Sequence, residues 1–317
     1  MSWAIEVDGL TKRYGELTAV DGVSLRVRRG ECVGILGPNG AGKTTTLEMI
    51  EGLRQADAGT ISVLGASPWP RNTALLRRIG VQLQGTAFIE HLSAIEQLRT
   101  VTDLYGVERS RADEVLAQVG LADAADRDVD DLSGGQRQRL SIACALVHRP
   151  EVLFLDEPSA GLDPTARRTL WDVLRDVRSD DTTVVLTTHY MEEAEVLCDR
   201  VAIMERGRIL ADDAPAELVR QLDAPTRLLL PPHALPRAQA EELEGVESTL
   251  LDAGALTLLT RRPAELLDEL ARRDALDGLQ VRSGTLEDVF VALTGRALSD
   301  PGLDDGDVDD GGGGVAP

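Results

Sequence analysis

Residues 33–50 read VGILGPNGAGKTTTLEMI. Val33 to Leu36 are a compact apolar run of strand length, and Leu47, Ile50 and Leu53 recur at helical spacing. Between them Gly37 to Thr44, GPNGAGKT, match the pattern G-x-x-x-x-G-K-[ST] in full. The glycines let backbone N–H groups turn inward around a phosphate chain, and the start of the helix adds positive potential. Lys43 can reach β- and γ-phosphates, and the Thr44 hydroxyl can ligate Mg²⁺. Strand, glycine-rich loop and helix in this order predict an α/β nucleotide-binding core.

Working outward, residues 152–157 read VLFLDE, an apolar strand that ends in two carboxylates. Asp156 at such a tip is placed to hold Mg²⁺ through water, and Glu157 to orient or deprotonate an attacking water. His189 follows VVLTT (184–188) at the end of another buried strand, where it can donate to a γ-phosphate as charge develops. Gln84 lies in IGVQLQG (79–85), at a strand end that leads into a helical stretch; Gln82 is its neighbouring competitor. Taken singly, His189 reads as a cap or satisfied polar residue and Gln84 as a solvated glutamine. The phosphate loop upstream is what gives the acids a functional reading.

Strands and helices alternate over residues 1–223, which predicts a sheet covered on both faces, with a mostly helical insert over about 86–147. From Pro225 the pattern resets. Strand, helix, two strands, helix and strand predict a small ferredoxin-like α+β unit over 224–298, closed by a helix with Thr285 as N-cap. An apolar face of that helix, Leu286, Val289, Phe290 and Leu293, needs a partner surface within the small domain or on a second subunit. Residues 299–317 hold six acids and no base, and read as a disordered acidic tail.

Composition excludes several classes. Of 317 residues, 33 are Lys or Arg and 54 Asp or Glu, a formal charge of -21 that argues against broad nucleic-acid binding. No apolar run approaches the length of a membrane span. Cys32, Cys144 and Cys198 are widely spaced in apolar contexts, which suits buried thiols in a reducing cytosol.

Leu132-Ser133-Gly134-Gly135-Gln136 adds a far more specific signal. With it the chain resembles the ATP-binding subunit of ATP-binding-cassette (ABC) transporters over residues 4–222. The resemblance implies a P-loop NTPase core with an antiparallel β subdomain and a helical subdomain, followed by the small α+β domain. It implies that Tyr14 stacks on adenine and that Gly37, Pro38, Asn39, Gly40, Ala41, Gly42, Lys43, Thr44 and Thr45 form the phosphate loop. Gln84 matches the glutamine that links nucleotide and membrane partner, Asp156 and Thr44 the Mg²⁺ ligands with it, Glu157 the catalytic glutamate, and His189 the switch histidine. Ser159 to Asp163 match the D-loop.

The signature further implies a head-to-tail dimer in which Ser133, Gly134, Gly135 and Gln136 of one copy meet ATP on the phosphate loop of the other. The stretch RSGTLEDVFVALTGR (282–296) resembles the end of daunorubicin/doxorubicin-resistance type subunits, the type-2 ABC exporters. That implies an ATPase with ATP and Mg²⁺, peripheral at the cytoplasmic face of a cell membrane, powering a separate permease and binding no nucleic acid. The alternatives are a permease-free ABC ATPase of translation or assembly, and an importer ATPase.

Overall fold

The computed structural model describes residues 3–83, 88–178, 182–231, 233–252 and 255–295. β1 (Trp3–Tyr14) and β2 (Leu17–Arg28) form a long antiparallel pair, running from Trp3 opposite Arg28 to Tyr14 opposite Leu17. β3 (Cys32–Leu36) follows, then the glycine loop, then α1 (Lys43–Glu51). β4 (Ala58–Val63) pairs with the free edge of β1 to complete a three-stranded antiparallel sheet. The next elements are α2 (Thr73–Leu76), β5 (Ile79–Gln82), α3 (Ala94–Tyr105), α4 (Ser110–Gln118) and α5 (Gly134–Leu146). Then come β6 (Val152–Asp156), α6 (Pro164–Arg178), β7 (Thr183–Thr188), α7 (Met191–Leu197) and β8 (Arg200–Glu205).

β9 (Arg208–Asp213) and α8 (Pro215–Gln221) complete this part of the chain. Neither stands out in the sequence patterning above. The signal for β9 is the Arg206-Gly207 pair, both left-handed (φ 46° and 77°), which closes a tight hairpin from Glu205 to Arg208. The second sheet runs β5-β6-β7-β3-β8-β9, parallel except for the β9 edge. Every residue of β3, β6 and β7 is buried, as expected of parallel strands covered on both faces. One apolar cluster joins α1 and the β1–β2–β4 sheet to one face, and a second joins α3 to α7 to the other.

After residue 225 the chain forms β10 (Thr226–Leu230), α9 (Arg237–Glu241), β11 (Ser248–Asp252), β12 (Ala255–Thr260), α10 (Pro263–Arg272) and β13 (Gln280–Arg282). The order β11-β12-β10-β13, all antiparallel, is the interleaved ferredoxin-like arrangement that the element order predicts. Leu228, Leu230, Leu256 and Leu258 face Leu266 and Leu270 of α10 in a separate core. Residues 253–254 and the acidic segment 299–317 lie outside the described residues.

The last helix, α11 (Leu286–Thr294), has the Thr285 N-cap that the sequence predicts: Thr285 Oγ1 accepts from Asp288 N at 3.3 Å. Its apolar face corrects the expectation of a partner in the small domain or a second subunit. Leu286, Val289 and Phe290 enter the cluster of Leu197 and Leu218, against α7 and α8 of the same chain. Glu195 Oε1 of α7 accepts from Leu286 N at 3.0 Å. The small sheet already has a core of its own with α9 and α10, whereas Leu197 of α7 and Leu218 of α8 form an apolar groove that α11 covers.

Phe290 is fully buried in that groove. Phe290→Ala is therefore expected to cost about 3–5 kcal/mol of stability, read as a lower unfolding midpoint of the full-length chain. An unchanged midpoint would contradict the placement of α11 in the main core.

Candidate functional site

The cleft forms where β3, β6 and β7 end side by side. Gly37 sits so close to β8 that a Cβ there would lie 2.2 Å from Met204 O, and one on Gly42 (φ 100°) would lie 2.3 Å from Ala19 O. Only glycine lets the loop fold this tightly over the strand ends. The loop delivers Lys43 to the first position of α1. Its Nζ donates to Gly37 O (2.9 Å) and Pro38 O (3.0 Å) and lies 3.3 Å from Glu157 Oε1. Burial lowers the Lys43 pKa, against the raising effect of Glu157 and Asp156.

Asp156 stands opposite Thr187 in the parallel register of β6 and β7. Its Oδ1 accepts from Thr187 Oγ1 (2.5 Å) and Thr44 Oγ1 (3.1 Å). Thr187 Oγ1 also accepts from Glu157 N at 3.0 Å. Thr187 thus links both acids, a role that motif reading misses; the signal is a polar residue at the end of an otherwise apolar strand. Burial pushes the Asp156 pKa up, opposed by the two hydroxyl bonds.

Glu157 has φ 46°, a left-handed conformation that a non-glycine residue holds only when its surroundings enforce it. The turn aims its carboxylate into the cleft, where Oε2 lies 3.2 Å from His189 Nδ1. That contact is at ion-pair range but outside hydrogen-bond geometry, and Nδ1 makes no other bond among the described residues. His189, then Lys43, hold the Glu157 pKa down against burial.

Tyr14, Asn39, Gly40, Gly42, Lys43, Thr44, Thr45, Glu157 and His189 all line one cleft of about 490 Å³. Tyr14 is 41% exposed at its rim, with Arg54 5.5 Å and Lys12 5.7 Å from the ring centre. A larger cleft of about 760 Å³ at the opposite end of the sheet holds none of these residues.

The other predicted residues lie elsewhere. Ser133 caps α5 in a reciprocal pair with Gln136: Ser133 Oγ accepts from Gln136 N (3.3 Å) and Ser133 N donates to Gln136 Oε1 (2.9 Å). Neither these two nor Gly134 and Gly135 line the phosphate-loop cleft. Asp163 Oδ1 accepts from Thr165 N and Ala166 N, both at 2.9 Å, at the start of α6. Gln84 lies outside the described residues. Its competitor Gln82 is buried and donates to Leu83 O at 2.6 Å.

The Thr44 hydroxyl and Asp156 carboxylate, 3.1 Å apart at the foot of the loop, are the hard oxygen donors that suit Mg²⁺. Among the described residues no group of three or more His, Cys, Asp or Glu is gathered for a metal. Two protein oxygens fit an ion whose remaining ligands are phosphates and water.

A P-loop with two acids and a histidine at adjacent parallel strand ends defines an ATPase of the P-loop class. Comparison with known proteins specifies the branch. The family model described as "ABC transporter" matches residues 20–160. The Nod factor export ATP-binding protein I of Ralstonia nicotianae is 40% identical over 318 residues, covering 93% of this chain and 95% of that protein. The daunorubicin/doxorubicin resistance ATP-binding protein DrrA of Streptomyces peucetius is 40% identical over 311 residues, covering 94% of each. Among solved structures, a nucleotide-free ATP-binding cassette matches with TM-score 0.64 at 24% identity, over 71% of this chain and 96% of that one. A dimeric post-hydrolysis cassette bound to ADP and phosphate matches with TM-score 0.60 at 28% identity, over 66% and 98%. The chain belongs to the ATP-binding subunits of ABC transporters, in the type-2 exporter family.

One buried acid gives the chain's stability a pH signature. Glu51, at the end of α1, is 2% exposed, and its Oε1 has no hydrogen-bond partner among the described residues. Burial, with Asp156 and Glu48 nearby, pushes its pKa from 4.5 up to about 8. Between those values the native chain binds a proton that the unfolded chain has lost, so stability falls as pH rises. Glu51→Gln removes this dependence. It is expected to stabilise the chain by on the order of 2 kcal/mol more at pH 8 than at pH 5, measured by denaturant unfolding. Equal effects at the two pH values would contradict it.

Proposed function

We propose that this chain is the ATP-hydrolysing engine of an exporter for drugs or other lipophilic compounds, working as a homodimer beneath a separate permease at the cytoplasmic face of the membrane. The cargo class rests on the relatives named for export of Nod factor and for daunorubicin/doxorubicin resistance. No helix among the described residues is long and apolar enough to cross a membrane, so translocation is assigned to the partner.

The observation that carries the reading is the meeting of Lys43, Thr44, Asp156, Glu157 and His189 at one set of strand ends. Tyr14 takes the adenine at the rim. The loop from Gly37 to Thr45 takes the phosphates, and Lys43 exchanges its contact with Glu157 for the β- and γ-phosphate oxygens. Thr44 and Asp156, with Gln84, would hold Mg²⁺, which would supply charge neutralisation on the phosphates. Glu157, whose pKa His189 and Lys43 hold down, accepts a proton from the attacking water. The water oxygen bonds to the γ-phosphorus as the bond to the bridging oxygen breaks, releasing ADP and phosphate. His189 donates to a γ-phosphate oxygen as charge builds.

The remaining groups act across the two-fold axis. Ser133, Gly134, Gly135 and Gln136 crown the start of α5 outside the cleft of their own chain, which supports their use against the nucleotide of the second copy. Asp163, which caps the start of α6, is assigned to the same contact with the second copy.

Glu157→Gln keeps the shape of the side chain and removes its proton acceptor. ATP hydrolysis is expected to fall at least about 100-fold, with nucleotide affinity kept and ATP-dependent dimers accumulating on size exclusion. Steady-state ATPase near the wild-type rate would sink the assignment of Glu157.

A further inference from the structure

Behind the cleft lies a carboxyl that hydrolysis does not use. Glu193, in the first turn of α7, is fully buried. Its Oε1 accepts from Trp171 Nε1 of α6 at 3.1 Å. The hydroxyls of Thr188 and Ser159 also lie against it and, with the Trp171 N–H, favour its charged form, while burial pushes its pKa up. Yet Glu193 Oε2 and Ser159 Oγ are both buried without a well-formed hydrogen bond among the described residues. A buried carboxyl oxygen and a buried hydroxyl, adjacent and both unsatisfied, amount to one bond left unmade.

The neighbours of Glu193 come from three elements. Ser159 is two residues after Glu157, in a turn closed by Ala160 N to Glu157 O (3.1 Å) and Leu162 N to Ser159 O (3.3 Å). Thr188 immediately precedes His189; its carbonyl accepts from Gly37 N at 3.3 Å and its hydroxyl from Tyr190 N at 2.9 Å. Trp171 belongs to α6, the helix that Asp163 begins. One carboxyl therefore touches the turn behind Glu157, the strand end that carries His189, and the helix that supports both.

We infer that Glu193 is a positioning residue, which fixes the turn from Glu157 to Asp163 against Thr188 and His189 and closes its hydrogen bond to Ser159 in the hydrolysing dimer. The inference rests on the reading of Glu157 and His189 as the hydrolytic pair. It gives Ser159 a task within its own chain, separate from contact with the second copy.

The test is the steady-state ATPase of the full-length chain, together with its affinity for a fluorescent ATP analogue. Glu193→Leu and Ser159→Ala are each expected to lower kcat roughly tenfold, with affinity within about twofold of wild type. The double variant is expected to be no worse than the weaker single one, because both remove the same bond. Glu193→Gln is expected to retain most of kcat, since its amide still accepts from Trp171 and can meet Ser159. Unchanged kcat in Ser159→Ala, additive losses in the double variant, Glu193→Gln as impaired as Glu193→Leu, or equal losses of kcat and affinity would overturn the proposal. If Glu193→Leu does not fold, Ser159→Ala and Glu193→Gln decide by the same criteria. Glu157→Gln run alongside separates the two levels: if it stays active, the hydrolytic assignment itself has failed.

Discussion

Parallel pairing of β6 with β7, and of β7 with β3, sets the register on which the site depends. It puts Asp156 opposite Thr187, and Leu36, the last residue before the glycine loop, opposite Thr188. A strand slipped by one residue would turn Asp156 into an apolar layer and lift Glu157 away from Lys43. The fully buried side chains of these strands prevent that slip, because each face packs on its own apolar cluster. Two acids, a lysine and a histidine can then stay close in a partly desolvated cleft, with opposing charges moderating one another.

The same core extends to the end of the described chain. α11 follows the ferredoxin-like sheet in sequence but packs on α7 and α8, and α7 begins two residues after His189. Glu195 binds the start of α11 while Glu193, one half-turn earlier, faces Ser159 and Thr188. The C-terminal segment is thus anchored on the helix that runs out of the phosphate-loop cleft.

Much of this was legible in the sequence because chemistry and backbone demanded particular residues. GPNGAGKT needs glycines for a steric reason, and VLFLDE carries the uniform apolarity of a strand covered on both sides. The β-α-β-β-α-β order after residue 225 was legible from periodicity alone. The partner of α11 was not, since an amphipathic face shows that something covers it and not what. Thr187 and Glu193 also escaped notice, because a hydroxyl or acid in a buried element acquires its meaning from cross-strand register and helix packing. β9 and α8 were missed where a short hairpin and a short helix give too few periods to read.

In the proposed dimer, each catalytic site combines the phosphate loop of one copy with Ser133 to Gln136 of the other. Mixing two inactive full-length variants, Lys43→Ala and Ser133→Arg, tests it most directly by ATPase rate. In a head-to-tail dimer, every mixed pair has one site with an intact phosphate loop facing an intact signature. Activity is then predicted to rise on mixing toward roughly a quarter of the wild-type rate, as expected when half the dimers are mixed and each has one working site. If the mixture stays as inactive as either variant alone while mixed dimers demonstrably form, each site is built within one chain and the head-to-tail arrangement is contradicted.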